Sequence, residues 1–343
     1  MPSTQPILGT QPLGPLWPTM DPFLFCAHHD DAYPASDGSL GVQAVEFEGR
    51  QMGSDFSRKD GFSMYHGGGV PGFPGHPHRG FETVTLVRKG LIDHSDSLGA
   101  AARFGGGDVQ WLTAGKGIQH SEMFPLLHHD APNPLELFQI WLNLPACSKM
   151  VEPHFTMFWN ERIPRLEQDG ATVTVVAGAL PGAAPLAPPP ESWATQPGAD
   201  VAIWTLRLEP GAHWTLPRAA GAGGGEGTQR MLYFFAGASL QIGPVAQRAH
   251  AALHVDATQD WELRNTGSDV VECLVLQGRP IGESVVQYGP FVMNTEQQIM
   301  QAMQDYRRTQ FGGWPWGAQD PVHGPENRRF ARYPGAQAEE VPG

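Results

Sequence analysis

The sequence is poor in cysteine, in basic residues and in long apolar runs, and each scarcity closes off a class of function. Three cysteines, Cys26, Cys147 and Cys273, are spread over 343 residues with no CxxC arrangement. Such spacing makes neither a disulfide framework nor a thiolate zinc site. The three read as scattered buried thiols in a reducing compartment, so the cytoplasm is the expected location. Lys and Arg total 22 against 35 Asp and Glu, for a formal charge of -13. Nucleic-acid affinity comes largely from basic groups that release counterions, so no direct nucleic-acid binding is expected. No apolar run approaches the roughly 20 residues that span a bilayer. The stretch Met1 to Trp17 has no Lys or Arg and no apolar centre, so it does not read as a secretory signal.

Glycine and proline are abundant instead, at 42 and 32 residues. At that density long helices are not expected, and short strands between turns are. Residues 1–20 read as an extended arm. Residues 21–150 form a first β-rich domain, with strands at Phe81–Val87, Asp108–Thr113 and Leu135–Leu144. Residues 151–200 are a linker with connecting strands, centred on Pro188-Pro-Pro190. Residues 201–290 form a second β-rich domain, with strands at Ala202–Leu208, Arg230–Phe235, Ala252–Val255 and Val270–Leu276. The two blocks match in size and texture, which points to an internal duplication, although no long motif repeats. Residues 291–343 hold a helix and a polar tail. Asn294 caps the helix in this reading, with Gln297 as its capping-box partner. Ile299, Ala302, Met303 and Tyr306 make its apolar face, and it ends near Thr309. The tail's Arg328, Arg329 and Arg332 read as a solvated basic patch.

The chemistry concentrates between residues 76 and 122. His76-Pro-His78 places two imidazoles at i and i+2, on one face of an extended chain, and Pro77 favours extended geometry for His76. About 40 residues on, His120-Ser-Glu122 repeats the spacing with a second pair of ligand-type side chains. On facing strands the two pairs would enclose one ion with three nitrogens and one carboxylate. Gly72, Gly75 and Gly80 bracket the first pair, and Gly115 and Gly117 precede the second. The glycine-rich run from Gly221 to Gly227 has no Lys-Ser/Thr behind it and does not read as a phosphate cradle. No GxSxG occurs, and no cysteine has a neighbouring histidine placed for nucleophilic catalysis.

These motifs resemble the pirin family of the cupin superfamily. The resemblance runs through Gly75-His-Pro-His-Arg-Gly-Phe-Glu-Thr-Val-Thr85, Asp96-Ser-Leu-Gly99 and the segment from Gly107 to Met123. It continues in Phe138-Gln-Ile-Trp-Leu-Asn-Leu-Pro145 and Lys149-Met-Val-Glu-Pro153, and returns at Tyr288-Gly-Pro-Phe-Val-Met-Asn-Thr295. It implies an all-β bicupin: two antiparallel β-barrels facing each other plus a C-terminal helix, with metal in the N-terminal barrel only. It implies His76, His78, His120 and Glu122 as ligands, with Glu82 supporting them from behind, although cupins more generally use a Glu at that spacing. His213, His250 and His254 in the second block are scattered and form no HxH pair.

The ligand set suits Fe(II), Mn, Ni, Co, Cu or Zn, and the resemblance favours Fe(II). It also implies a quercetin 2,3-dioxygenase type of activity on a flavonol and O2, with Glu122 as catalytic base. The apolar wall would come from Phe73, Phe81, Trp111, Phe138 and Trp141. Two readings of another class stand beside it: an iron- and redox-dependent regulator with a protein partner, a transcription factor or a metabolic enzyme, and a non-redox cupin such as an isomerase. Two stretches depart from the family pattern. Residues 35–70 are longer than the usual segment before the HPH motif and are placed to overhang the metal pocket. Ala27-His-His-Asp-Asp-Ala32 replaces the usual acidic and aromatic residues after the first strand, which puts His28 and His29 either near the site or, as the main expectation, at the surface.

Overall fold

The computed structural model describes residues 5–220 and 225–343, so the glycine-rich run 221–227 lies partly outside the described residues. In chain order the strands are β1 Ile7–Pro12, β2 Phe23–Tyr33, β3 Gly72–His78, β4 Phe81–Lys89, β5 Leu91–Asp96, β6 Ala101–Gly105, β7 Val109–Thr113 and β8 Ile118–Met123. There follow β9 Asn133–Asn143, β10 His154–Phe158, β11 Arg165–Gln168, β12 Ala171–Ala177, β13 Ala202–Leu208, β14 His213–Leu216, β15 Gln229–Ala236 and β16 Leu240–Ile242. The last are β17 Val245–Gln247, β18 Ala251–Val255, β19 Trp261–Asn265, β20 Val271–Gly278, β21 Val286–Tyr288, β22 Phe291–Met293 and β23 Phe330–Arg332. One helix longer than a turn or two, α1 Glu296–Thr309, lies among the described residues. None of the described helices is long and apolar enough to cross a membrane.

The chain divides into two compact units, and both are antiparallel cupin folds. One takes in His28–Gln139, Ala146–Glu161 and Glu283–Gly343. Its two sheets run β10-β7-β4-β9-β2 and β23-β6-β5-β8-β3, and the hairpin β21-β22 and α1 belong to it as well. The other takes in the chain up to Ala27, Ile140–Pro145 and Arg162–Gly282. Its sheets run β1-β18-β15-β20-β13-β12-β11 and β14-β19-β16-β17. Replace β7, β4, β9, β2 by β18, β15, β20, β13, and β6, β5, β8, β3 by β17, β16, β19, β14, and one strand order becomes the other. The duplication that texture alone hinted at is thus plain in the topology.

The chain termini are exchanged between the units. The stretch read as an extended arm supplies β1, which pairs with β18. The tail read as polar and solvated supplies β23, which pairs with β6. Arg329 in that tail is no loose surface charge, because it bonds Asp108 at 2.7 Å and Glu161.

In the second cupin, period-two alternation sends Ala202, Trp204, Leu206 and Leu208 of β13 inward to meet Leu232 and Phe234 of β15 and Cys273 and Val275 of β20. That cluster is apolar, and next to it Arg230 of β15 is buried against Gln277 of β20. The first cupin has a comparable apolar core at Val87, Ile92, Phe104, Leu112 and Leu137, and the 35–70 segment adds Val42, Phe62, Met64 and Tyr65 to it. The segment is organised round Arg50. Its guanidinium bonds Asp55 and the Phe62 carbonyl at 2.9 Å each and lies 3.8 Å over the Phe62 ring.

Helix α1 starts one residue later than the spacing predicts. Thr295 is the N-cap, and Gln298 returns its side chain to the Thr295 amide. Asn294 is instead drawn to Glu283 and the Ser284 carbonyl, so its own side chain is not free to cap. The expected apolar face holds, with Ile299 and Ala302 buried and Met303 and Tyr306 packed beside them. Cys26 and Cys273 are buried as expected, but Cys147 is exposed.

Candidate metal centre

Strand β3 carries the HPH motif between two glycines that no other residue could replace without strain. Gly72 has φ +132, and a Cβ there would stand 2.5 Å from the Glu122 carbonyl. Gly80 has φ +87, and a Cβ there would stand 2.0 Å from the Val292 carbonyl. Between them β3 pairs with β8, His76 opposite His120 and Phe73 opposite Glu122, with a register shift between Phe73 and His76. Alternation then brings the rings together: His76–His78 4.8 Å, His76–His120 4.5 Å and His78–His120 4.8 Å between centroids. One nitrogen from each of His76, His78 and His120 lies within 4.8 Å of the others. Among the described residues this is the one place where three such side chains converge.

The protonation pattern suits a cation. His76 Nδ1 donates to the Pro74 carbonyl at 2.8 Å, which leaves Nε2 as a lone pair. Burial, above all, holds the His76 pKa down at about 4, and burial together with the neighbouring histidines pushes His78 and His120 well below the usual imidazole range. All three are therefore neutral near pH 7, as ligands must be. Neither nitrogen of the fully buried His120 has a hydrogen-bond partner. Leaving such a group unsatisfied costs about 1–3 kcal/mol, and a bound ion removes that cost. The residues fit a first-row transition metal on this orphaned donor and on the chemistry of the set.

Glu122 lies beside the histidines rather than among them, its Oε2 3.9 Å from His120 Nε2. Gln139 Nε2 donates to its Oε2 at 2.8 Å. The Thr85 hydroxyl sits 2.6 Å from Gln139 Oε1 and 3.0 Å from Glu122 Oε1. One hydroxyl proton cannot satisfy both, so a proton delivered to the Glu122 carboxylate would complete the chain of bonds. Burial raises the Glu122 pKa, against the opposing effects of His94, Thr85 and Gln139, which is the direction that such a proton requires.

The other expected residues separate by strand parity. Phe73 and Phe81 adjoin the cluster, at 6.3 Å from His76 and 5.0 Å from His78. Trp111 packs on Phe158, Phe138 stacks on His28, and Trp141 stacks on Phe25, so these three do not wall the histidines. Glu82 alternates with Thr83 and Thr85 on β4, points to the other face and accepts the Thr113 hydroxyl at 2.7 Å. His28 and His29, expected at the surface, are both half-buried. His28 bonds Glu136 on the outer face of the sheet, while His29 faces Tyr65 and Phe73.

Sequence reasoning missed His94. It lies opposite Glu122 on β5, with its ring 5.5 Å from His120 and Nε2 3.3 Å from Asp96. The signal was there in His94-Ser-Asp96, a third i, i+2 pair of ligand types between Gly90 and Gly99. The tail's contribution was missed as well. The Gln319 carbonyl accepts the Gly75 amide at 2.6 Å, and Trp316 Nε1 donates to the Asp96 carbonyl.

Comparison with known proteins places the chain. Residues 10–142 match the pirin family model, and residues 203–312 match that of the pirin C-terminal cupin domain. Human pirin is 34% identical over 256 residues, which is 73% of this chain and 81% of that protein. A Pseudomonas aeruginosa protein with a provisional quercetin 2,3-dioxygenase name is 36% identical over 286 residues, 80% of this chain and 93% of its own. Among solved structures, a quercetin 2,3-dioxygenase from Acinetobacter baumannii superposes with a TM-score of 0.65 at 25% identity, covering 90% of this chain and 96% of that one.

Proposed function

The chain belongs to the pirin family, and from that premise we propose that His76, His78, His120 and Glu122 hold Fe(II) and that the protein is a dioxygenase of the quercetin 2,3-dioxygenase type. The observation that carries this reading is the convergence of three neutral imidazoles with both His120 nitrogens unpartnered, next to a buried carboxylate. The similarity to proteins named as quercetin 2,3-dioxygenases supports the choice of substrate class. When bound, the metal supplies Lewis acidity, electron transfer to O2, and a point where both reactants are held together.

The protein's own part is proton handling and exclusion of water. Glu122 takes the proton of the flavonol 3-hydroxyl, and Thr85 and Gln139 hold the protonated carboxyl by the bonds described above. Phe73 and Phe81 give the ring an apolar wall at the histidines. The overall change is flavonol plus O2 to a depside plus carbon monoxide, in which the cleaved ring is oxidised and O2 is reduced. Catalysis belongs to the N-terminal cupin, and the reaction takes place in the cytoplasm, where the free thiols stay reduced. Anaerobically iron-loaded protein should consume O2 when quercetin is added and release carbon monoxide in equal amount. No O2 uptake with any flavonol would rule this activity out.

A further inference from the structure

Both departures from the family pattern meet at one side chain. Alternation on β2 puts His29, Asp31 and Tyr33 on one face of the strand. Tyr65, from the 35–70 segment, donates its hydroxyl proton to Asp31 Oδ2 at 2.7 Å, and Asp31 Oδ1 accepts the Ser63 amide at 2.9 Å. With that proton committed, the Tyr65 oxygen is the acceptor in its 2.7 Å contact with His29 Nδ1. The proton of the neutral imidazole therefore sits on Nδ1, and Nε2 carries a bare lone pair. Burial, then His28 and Arg58, hold the His29 pKa down at about 4, so the ring keeps that neutral form near pH 7.

The lone pair lies in a group of aromatic rings that runs to the metal centre. Tyr65 stacks on Phe73 at 5.0 Å, and His29 meets Phe73 edge-on at 6.0 Å. Phe56 and His66, both exposed, join the same group, with Phe56 5.4 Å from Tyr65 and His66 5.8 Å from Phe73. Phe73 in turn lies 6.3 Å from His76. His29 is thus two ring-to-ring steps from a metal-binding histidine, which is the scale of a three-ring flavonol. Aromatic walls favour a planar ring. A single acceptor among them favours a ring that carries a hydroxyl.

We propose that His29 Nε2 accepts a hydrogen bond from a phenolic hydroxyl on the substrate ring remote from the metal, and that Tyr65 and Asp31 position it. This rests on the dioxygenase reading for the placement of the substrate. His29 is then the specificity-determining residue, and the 35–70 segment is what installs it.

The test is binding under nitrogen to zinc-loaded protein, which cannot turn over. Quercetin and galangin share the 3-hydroxyl that meets the metal and the hydroxyls of the fused ring, and only quercetin also carries hydroxyls on the 2-phenyl ring, the ring assigned to His29. Wild-type protein should bind quercetin about tenfold tighter, the worth of one good hydrogen bond. His29→Phe should erase that preference and leave galangin affinity and zinc content within twofold of wild type. His29→Gln, which keeps an acceptor, should restore part of it, and Tyr65→Phe should cut it about threefold. Equal affinities in the wild type, no binding of quercetin at all, or a preference that survives His29→Phe would each overturn the proposal. Absence of O2 uptake with the preference intact would instead sink the oxygenase reading and leave this recognition standing.

Discussion

The two cupins share one strand order and differ in what fills them. The second closes on Leu232, Phe234, Leu253 and Val275, with Arg230 bonded to Gln277 among its buried polar groups. The first has the same kind of core at one end, and at the other it buries His78, His94, His120, Glu122, Thr83, Thr85 and Gln110. Interior polar groups of that number are expensive unless partnered. The fold tolerates this histidine cluster in one copy and shows none among the described residues of the other, so the cluster is not a requirement of the architecture. It marks the copy in which the proposed metal site lies.

The largest expected effect breaks that contrast directly. His120→Ala should abolish metal binding, a loss beyond the roughly 10–100-fold that removal of a supporting bond costs. His254→Ala in the second cupin should leave the metal-to-protein ratio unchanged by elemental analysis. If both variants bind as much metal as wild type, the first cupin is not the metal copy. Next, Glu122→Ala should lower metal affinity while Glu82→Ala retains it, because Glu82 is turned to the far face of β4 and engaged by Thr113. The reverse result would move the carboxylate ligand to Glu82.

Arg103 of the first cupin and Arg230 of the second are both fully buried, and the comparison sharpens there. Arg103 is fully buried and bonds both oxygens of Asp93, at 2.6 and 2.7 Å, as well as the tail carbonyls of Gly324 and Glu326. Arg230 is as deeply buried, yet its guanidinium bonds a neutral Gln277 and the Pro217 carbonyl. Arg103→Met strands a buried carboxylate and should cost about 3–5 kcal/mol in urea unfolding. Arg230→Met strands no charge, only the buried Gln277 amide oxygen, and should cost about 1–3 kcal/mol. Equal losses would show that the charge pairing is not what separates the sites.

The smallest effect is acid sensitivity. Burial would raise the Asp55 pKa, but bonds from Ser57, the Met64 amide and Arg50 outweigh it and hold it at about 2. A carboxyl depressed in the fold stabilises it fully above its unfolded pKa of about 4 and ceases to as pH falls towards 2, for on the order of 2 kcal/mol. The ion pairs Arg207–Glu209 and Arg264–Glu262 of the second cupin are exposed and contribute little. Between pH 4 and 2 the 35–70 segment should loosen in wild-type protein, seen as faster amide exchange at Asp55 and Tyr65. Asp55→Asn should show no such step.

What was legible in the sequence was local. The i, i+2 pairs at 76–78 and 120–122, the strand runs with β-branched residues and the helix face at Ile299–Tyr306 each depend on neighbours in sequence. What was not legible depended on partners far along the chain. Whether Trp111 or Phe81 faces the histidines is set by strand parity across β4 and β7, which a shift of one residue reverses. Arg329 looked solvated because Asp108, its partner, is 221 residues away. His29 looked superficial because Tyr65, which fixes its tautomer, arrives on an irregular segment with no period to read.

The exchanged termini have a consequence for the order of events during synthesis. β1 is made some 240 residues before its partner β18. β3, the edge strand that bears His76 and His78, gains its Gly75–Gln319 bond only once residue 319 has been made. Each cupin therefore closes on a segment distant in sequence, the first on β23 and the second on β1. Until Gln319 is made the nascent chain carries an open, histidine-bearing edge, and its arrival is the step that locks the strand with the HPH motif.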